Sequence, residues 1–476
     1  MAGLYRALRL NRSGSARFNR QERGWITYDW ANSAYSTIVT AAIFPIYFAS
    51  AAGQAGASGD IWWGYGTSAA TLIMAVMAPL LGAIGDFKGM KKKLFSGFLL
   101  GGLVFTLAMA LTDRWQLMLV GYVLSYIGWM GANLFYDSFL TDVTWPSRMD
   151  KVSAWGFAMG YIGGSTIPFL MSIALIMFGP AIGIDNAAAV KIACVLCVLW
   201  WAVFSLPLLR DVHQTHYLET PPTSFVRQTF RNLHATAREI LADRALLIFM
   251  LAYFFYIDGV NTVIHMATVY GSAIGLDTTG MILALLVTQL VAVPFSILFS
   301  RLAGRFGSIR MISAAIIIYF FICLVGFYMG YSMEQAQAIL QNGQSDQLPA
   351  GLTPAAAYDR SLSRATALFW AMAVLVGTCQ GGIQALSRSF FGKLIPPKRS
   401  NEYFGFFDVF GKFAAVVGPV LYALTASLTG RSSLGILSLL LLFAIGLILI
   451  LIGRRPLQEA EARAEAGQDR EEQHQE

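Results

Sequence analysis

Apolar stretches of about 20 residues recur along the whole chain, and a backbone inside hydrocarbon must satisfy its own hydrogen bonds. Each stretch therefore reads as a membrane-crossing helix. Twelve are expected, near 25–50, 62–85, 94–111, 116–140, 152–178, 188–209, 245–270, 278–300, 309–330, 366–391, 403–428 and 434–453. The runs are continuous and far longer than a barrel strand needs, which argues against a β-barrel. Composition agrees: 56% of residues are hydrophobic and 13% charged, about half the charged share of a soluble domain. The first run has a basic lead and an "ASA" at Ala49–Ala51. It is too long for a signal h-region and carries Asp29 and Asn32, so a retained helix is expected.

Basic residues set the orientation. Of the 34 Lys and Arg, five (Arg114, Lys191, Arg360, Arg364 and Arg431) fall on one side and Lys412 lies inside a run; the rest flank the other side. Both termini are thus expected in the cytoplasm of a multi-pass inner-membrane protein. Its partners are then the bilayer and a small-molecule solute, not nucleic acid. The net charge of +7 follows from topology. The expected divisions are a basic N-terminus (1–24), a six-helix half (25–209), a polar linker (210–244), a second six-helix half (245–453) with a long outer loop (331–364), and a charged tail (454–476). The linker's second half suits an interfacial amphipathic helix from near Ser224, with Phe225, Phe230 and Leu233 on its apolar side. Cys194, Cys197, Cys323 and Cys379 all lie in apolar runs and read as filler. His213 and His216 lack further ligands nearby. No cofactor or metal is expected.

The two halves resemble each other. "LFYDSFLTDVTWPSRMDKVSAWGFAMGY" (134–161) lies on "ALSRSFFGKLIPPKRSNEYFGFFDVFGK" (385–412) without a gap. Ser138 then meets Ser389, Pro146 meets Pro397, and Asp137 falls on Arg388. Six plus six spans with internal similarity indicate a pseudo-twofold transporter whose solute site lies between repeats.

Polar residues inside the runs form stripes at i, i+3 and i+4 spacing, which is one helical face. Helix 1 carries Asp29, Asn32, Ser36 and Thr40; helix 4 carries Asn133 and Asp137. Helix 7 carries Asp258, Asn261 and His265; helix 10 carries Gln380, Gln384 and Arg388; helix 11 adds Asp408 and Lys412. Ionisable groups in hydrocarbon are candidates for function. By depth, Asp29, Asp137, Asp142 and Arg388 lie toward the cytoplasmic side and suit a gate or structural ion pair, with Arg388 the first candidate partner for Asp29. Asp408 and Lys412 are spaced to neutralise each other. Asp258, Asn261, His265, Gln380, Gln384, Lys412, Asn32 and Asn133 are the candidates for solute binding or coupling. Asp258, mid-span with no base close in sequence, suits a proton carrier.

"GAIGDFKGMKKK" (82–93) resembles the loop signature of the major facilitator superfamily, with Gly82, Asp86, Gly89, Lys91 and Lys92 in place and Phe87 where many members carry Arg. Its carboxylate can hold a helix N-terminus or a base. "YDWANSAY" (28–35), "FYDSFLTDV" (135–143), "VSAWGFAMGYIGG" (152–164), "DGVNTVIHMATVYG" (258–271), "GGIQALSRSFFGKLIP" (381–396) and "EYFGFFDVFGKFAAVVGP" (402–419) resemble the vacuolar autophagy-related effluxer-like branch. The resemblance implies an all-α major facilitator fold, with helices 1, 4, 7 and 10 lining a central cavity. It also implies monomeric secondary transport, and amino-acid efflux in fungal members. Efflux of amphipathic compounds is the alternative. A membrane enzyme would need a motif such as HExxH, GxSxG or a phosphate loop, and none is present. A sensor would need a signalling domain.

Overall fold

The computed structural model describes residues 17–219, 225–342 and 353–474. Twelve helices in it are long and apolar enough to cross a membrane, and they are numbered here as spans. Spans 1 to 6 are Arg20–Gln54, Ile61–Gly85, Met90–Ala110, Trp115–Val143, Pro146–Ile182 and Asn186–Asp211. Spans 7 to 12 are Arg244–Ala273, Leu283–Phe306, Ser308–Asn342, Pro354–Leu394, Pro397–Thr429 and Ser432–Ile452. The fold is all-α. Inside it, Trp25, Tyr28, Tyr35, Trp201 and Tyr319 are buried, while Leu72, Val76, Leu100, Leu206 and Leu428 face outward. So much exposed aliphatic surface is a hazard in water and the ordinary contact surface in lipid.

One place departs from the expected layout. Much of segment 331–364, read as a loop, is helical: spans 9 and 10 run on to Asn342 and start at Pro354. "MEQAQAILQ" and "AAAYDRSLSRA" are polar but rich in Ala, Gln, Glu and Leu, which favour helix whether or not lipid surrounds them. At 35 and 41 residues, these helices extend about 50 and 60 Å, well past a hydrocarbon core of about 30 Å. The tail continues almost directly from span 12 as a helix, Arg454–His474. In the linker the helix spans Phe225–Ala242. Ser224 and the side chains of Phe225 and Phe230 lie outside the described residues, and Leu233 is half-buried.

Spans 1 and 5 each contain a π-helical stretch, Ser36–Ala42 and Gly160–Thr166, and the two stretches touch. Such turns concentrate at functional sites.

The chain forms two compact units. The first comprises the described residues of Met1–Leu246 with Arg388–Val409 and Glu459–Glu476; the second is Leu247–Ser387 with Phe410–Gln458. The boundary thus passes through spans 10 and 11, and the first unit holds their adjoining ends.

Candidate functional site

Span 10 carries Arg388 near its C-terminal end, in the first unit. Its side chain is 7% exposed. One Nη donates to Asp137 Oδ1 at 3.0 Å, the other to Asp29 Oδ2 at 3.2 Å, and Nε donates to Ser153 Oγ at 3.0 Å. Tyr136 donates its hydroxyl to the same Asp29 oxygen at 2.7 Å. The guanidinium also lies 4.6 Å from the Trp25 ring and 4.4 Å from the Phe157 ring. A planar fork with several donors suits this two-carboxylate, aromatic-walled site far better than an ammonium would. Gly156 makes room for it: a Cβ there would collide with Asp29 Oδ2 and come within 3.2 Å of Arg388. Spans 1, 4, 5 and 10 are thereby tied at one point. The predicted pairing of Asp29 with Arg388 is present, and Asp137 shares the same cation.

Nearby, the turn between spans 2 and 3 meets the start of span 11. This end of the unit, where the basic loops lie, is called the basic end below. Asp86 is buried and caps the helix Ser400–Thr429: Oδ1 accepts from the Asn401 amide at 2.9 Å and the Asn401 side chain at 2.8 Å, and Oδ2 accepts from the Glu402 amide at 3.1 Å. Of the two roles open to this carboxylate, it holds the helix N-terminus. Burial pushes the Asp86 carboxyl up to about 7, against the charge of Lys91 and the bonds from Asn401 and Glu402. Gly82 lets the helices approach, since a Cβ there would collide with the Asn401 carbonyl. Lys91, fully buried, donates to Asp142 at 2.6 Å and Ser400 at 3.0 Å. Asp142 in turn accepts from the amides of Thr215 and His216, both at 2.8 Å.

A third group completes this end. Lys393 donates to Asp150 at 2.8 Å, and Ser389 donates to the other oxygen of Asp150 at 2.5 Å. These contacts obey the internal repeat. Asp137 and Arg388 are 251 residues apart, the offset of the gapless alignment. The bond from Ser138 to Asn401 and that from Ser389 to Asp150 exchange under the same offset, which also relates Asp142 to Lys393. Neither Lys393 nor Asp150 was singled out from sequence, because basic loops read first as topology signals. The alignment of 134–161 with 385–412 held the signal.

In the second unit, Asp258 is buried against Thr262 and Gly418. A Cβ on Gly418 would lie 2.9 Å from Asp258 Oδ1 and collide with Thr262 Oγ1. Among the described residues, neither Asp258 oxygen nor Thr262 Oγ1 has a hydrogen-bond partner. Asn261, Gln384 and Lys412 are half-buried, and His265 is exposed. Gln380 lines an apolar cavity of about 70 Å³ with Gln289, Val263, Phe369 and Met372. The remaining candidates belong to the first unit. Asn32 donates to the Tyr28 carbonyl of its own helix at 3.2 Å, Asn133 Oδ1 is buried with no hydrogen-bond partner among the described residues, and Asp408 is half-buried. The described residues contain no group of three or more His, Cys, Asp or Glu able to hold a metal.

Comparison with known proteins places this geometry. The family described as "Vacuole effluxer Atg22 like" matches residues 63–342 and 362–462. An uncharacterized MFS-type transporter of Bacillus subtilis, YxiO, is 43% identical over 91% of this chain and 95% of its own length. Autophagy-related protein 22 of Cryptococcus neoformans is 25% identical over 68% of this chain, which spans 56% of that larger protein. Among solved structures, the major facilitator transporter FucP in its outward conformation superposes with a TM-score of 0.60 at 14% identity, covering 93% of this chain and 99% of that one. A bacterial homologue of the iron transporter ferroportin in an outward-facing state gives 0.56 at 15% identity, with the same coverage. The chain belongs to the Atg22-like branch of the major facilitator superfamily and is an MFS-type transporter.

Proposed function

We propose that this transporter exports a small polar solute, an amino acid or similar zwitterion, across the inner membrane by alternating access, with its basic end in the cytoplasm. The observation that carries the reading is the Arg388 cluster. Repeat-equivalent Asp137 and Arg388 meet in a buried, aromatic-walled contact that joins spans 1, 4, 5 and 10, as a gate closing the basic end requires. The Asp86 cap on span 11 is the second fastening of that gate. Asp258 is the proton carrier: its buried carboxylate has Thr262 and Gly418 beside it, and a buried charge with so little support around it favours taking up a proton.

A thermal-shift screen of the purified protein against amino acids and dipeptides tests the solute class, since a ligand stabilises the state it binds. With a ligand in hand, Asp258→Asn in proteoliposomes abolishes proton-driven movement and spares counterflow exchange. Unchanged proton-driven movement rules out the coupling role. The apolar lining at Gln380, with Phe369 and Met372, is the observation behind a second reading, efflux of amphipathic compounds, which would need this cavity of about 70 Å³ to widen. Stabilisation by ethidium and by none of the amino acids or dipeptides would select it.

A further inference from the structure

The two buried cations that join span 10 to span 5 are provided for differently. Arg388 takes its carboxylates from Asp29 and Asp137, both on the N-terminal half of the chain. Once spans 1, 4 and 5 part from span 10, it keeps neither. Among the described residues, Lys393, with a side chain 2% exposed, faces three carboxylates. Asp150 at 2.8 Å comes from span 5, while Glu461 at 3.1 Å and Glu465 at 3.3 Å come from the tail helix that follows span 12. One carboxylate would neutralise Lys393, so the tail supplies a surplus. That surplus comes from the lysine's own half of the sequence. The repeat-related position shows the same provision with reversed sign. Asp142, the counterpart of Lys393, is held by Lys91 and by Thr215 and His216, in the segment that follows span 6. In each half, the chain leaving the sixth helix returns to support the same buried charge.

We propose that the tail helix is a release device for the gate: Glu461 and Glu465 are reserve counter-ions that take over Lys393 when Asp150 departs. The inference rests on the gate reading above. Removing one partner of a buried pair leaves an uncompensated charge, which is the costly step in separating span 5 from span 10. Two carboxylates that stay with the lysine lower that cost. They also compete with Asp150 in the closed state and weaken its hold. The tail therefore favours opening, and its loss tightens the closed gate. A tail acting as a clasp would do the opposite.

The test is amide hydrogen exchange of residues 146–159 in the full-length protein in nanodiscs, comparing wild type with Glu461→Gln/Glu465→Gln. Exchange through opening is expected to slow about tenfold in the variant, the scale of one charged hydrogen bond. In a Lys393→Met background the same tail substitutions should change nothing, which separates the proposed effect from general damage to the tail. Unchanged or faster exchange after tail neutralisation overturns the release device, and so does an effect that persists without Lys393. An Arg388→Met control separates this from the gate reading. If Arg388→Met speeds exchange while the tail variant does not slow it, the device falls and the gate stands. If Arg388→Met leaves exchange unchanged, the gate reading falls and takes the device with it.

Discussion

Arg388 and Asp258 are both charged side chains buried in membrane spans, yet their surroundings are opposite. Arg388 is met by two carboxylates, a serine hydroxyl, a backbone carbonyl and aromatic rings. Asp258 has Thr262 and a glycine beside it, and among the described residues neither of its oxygens has a hydrogen-bond partner. A saturated ion is held in one arrangement and costs much to disturb. A bare one is tolerated only because it can exchange its charge for a proton. The first suits a fastening, the second a chemical step.

Stability measurements can break that contrast. Arg388→Met strands the buried Asp29 and the half-buried Asp137 and should lose about 3 kcal/mol in unfolding in detergent, with much of it recovered when Asp29→Asn and Asp137→Asn are added. Since two acids share the arginine, swapping Asp137 with Arg388 should be tolerated better than swapping Asp29 with Arg388. Gly156→Ala forces a methyl against the Asp29 carboxylate and should cost about 1–3 kcal/mol. The next effect is on pH. Burial raises the Asp86 carboxyl to about 7, from about 4 in water. A group raised in this way supports the closed state fully below about pH 4 and loses that support as pH rises through about 7, by up to about tenfold per pH unit. Water access to the basic end should therefore increase over that window, and Asp86→Asn should flatten the profile. The smallest effect belongs to Asp258→Asn, which keeps the size of the side chain and its neighbours Thr262 and Gly418 and should shift unfolding by less than about 1 kcal/mol. A loss as large as that of Arg388→Met would erase the distinction between the two sites.

Much of this was legible in the chain. Span length, the repeat offset and the i, i+3, i+4 stripes are local or periodic properties, and they led to twelve helices and to Arg388 as the partner of Asp29. Lys91, Asp150 and Lys393 were not legible in the same way. Their burial depends on contacts between residues 51 and 243 positions apart, and a lysine in a basic loop looks solvated until its partner is known. The polar ends of spans 9 and 10 misled because polarity marks departure from lipid, not the end of a helix.

The most direct test of the gate is thiol labelling at Ala154→Cys on span 5, a site fully buried beside the Arg388 cluster. All four native cysteines are buried, so the background is low. A water-soluble maleimide should label this cysteine at least about tenfold faster in Arg388→Met than with Arg388 present, and at the unchanged slow rate in Asp258→Asn. Equal labelling with and without Arg388 would contradict the gate.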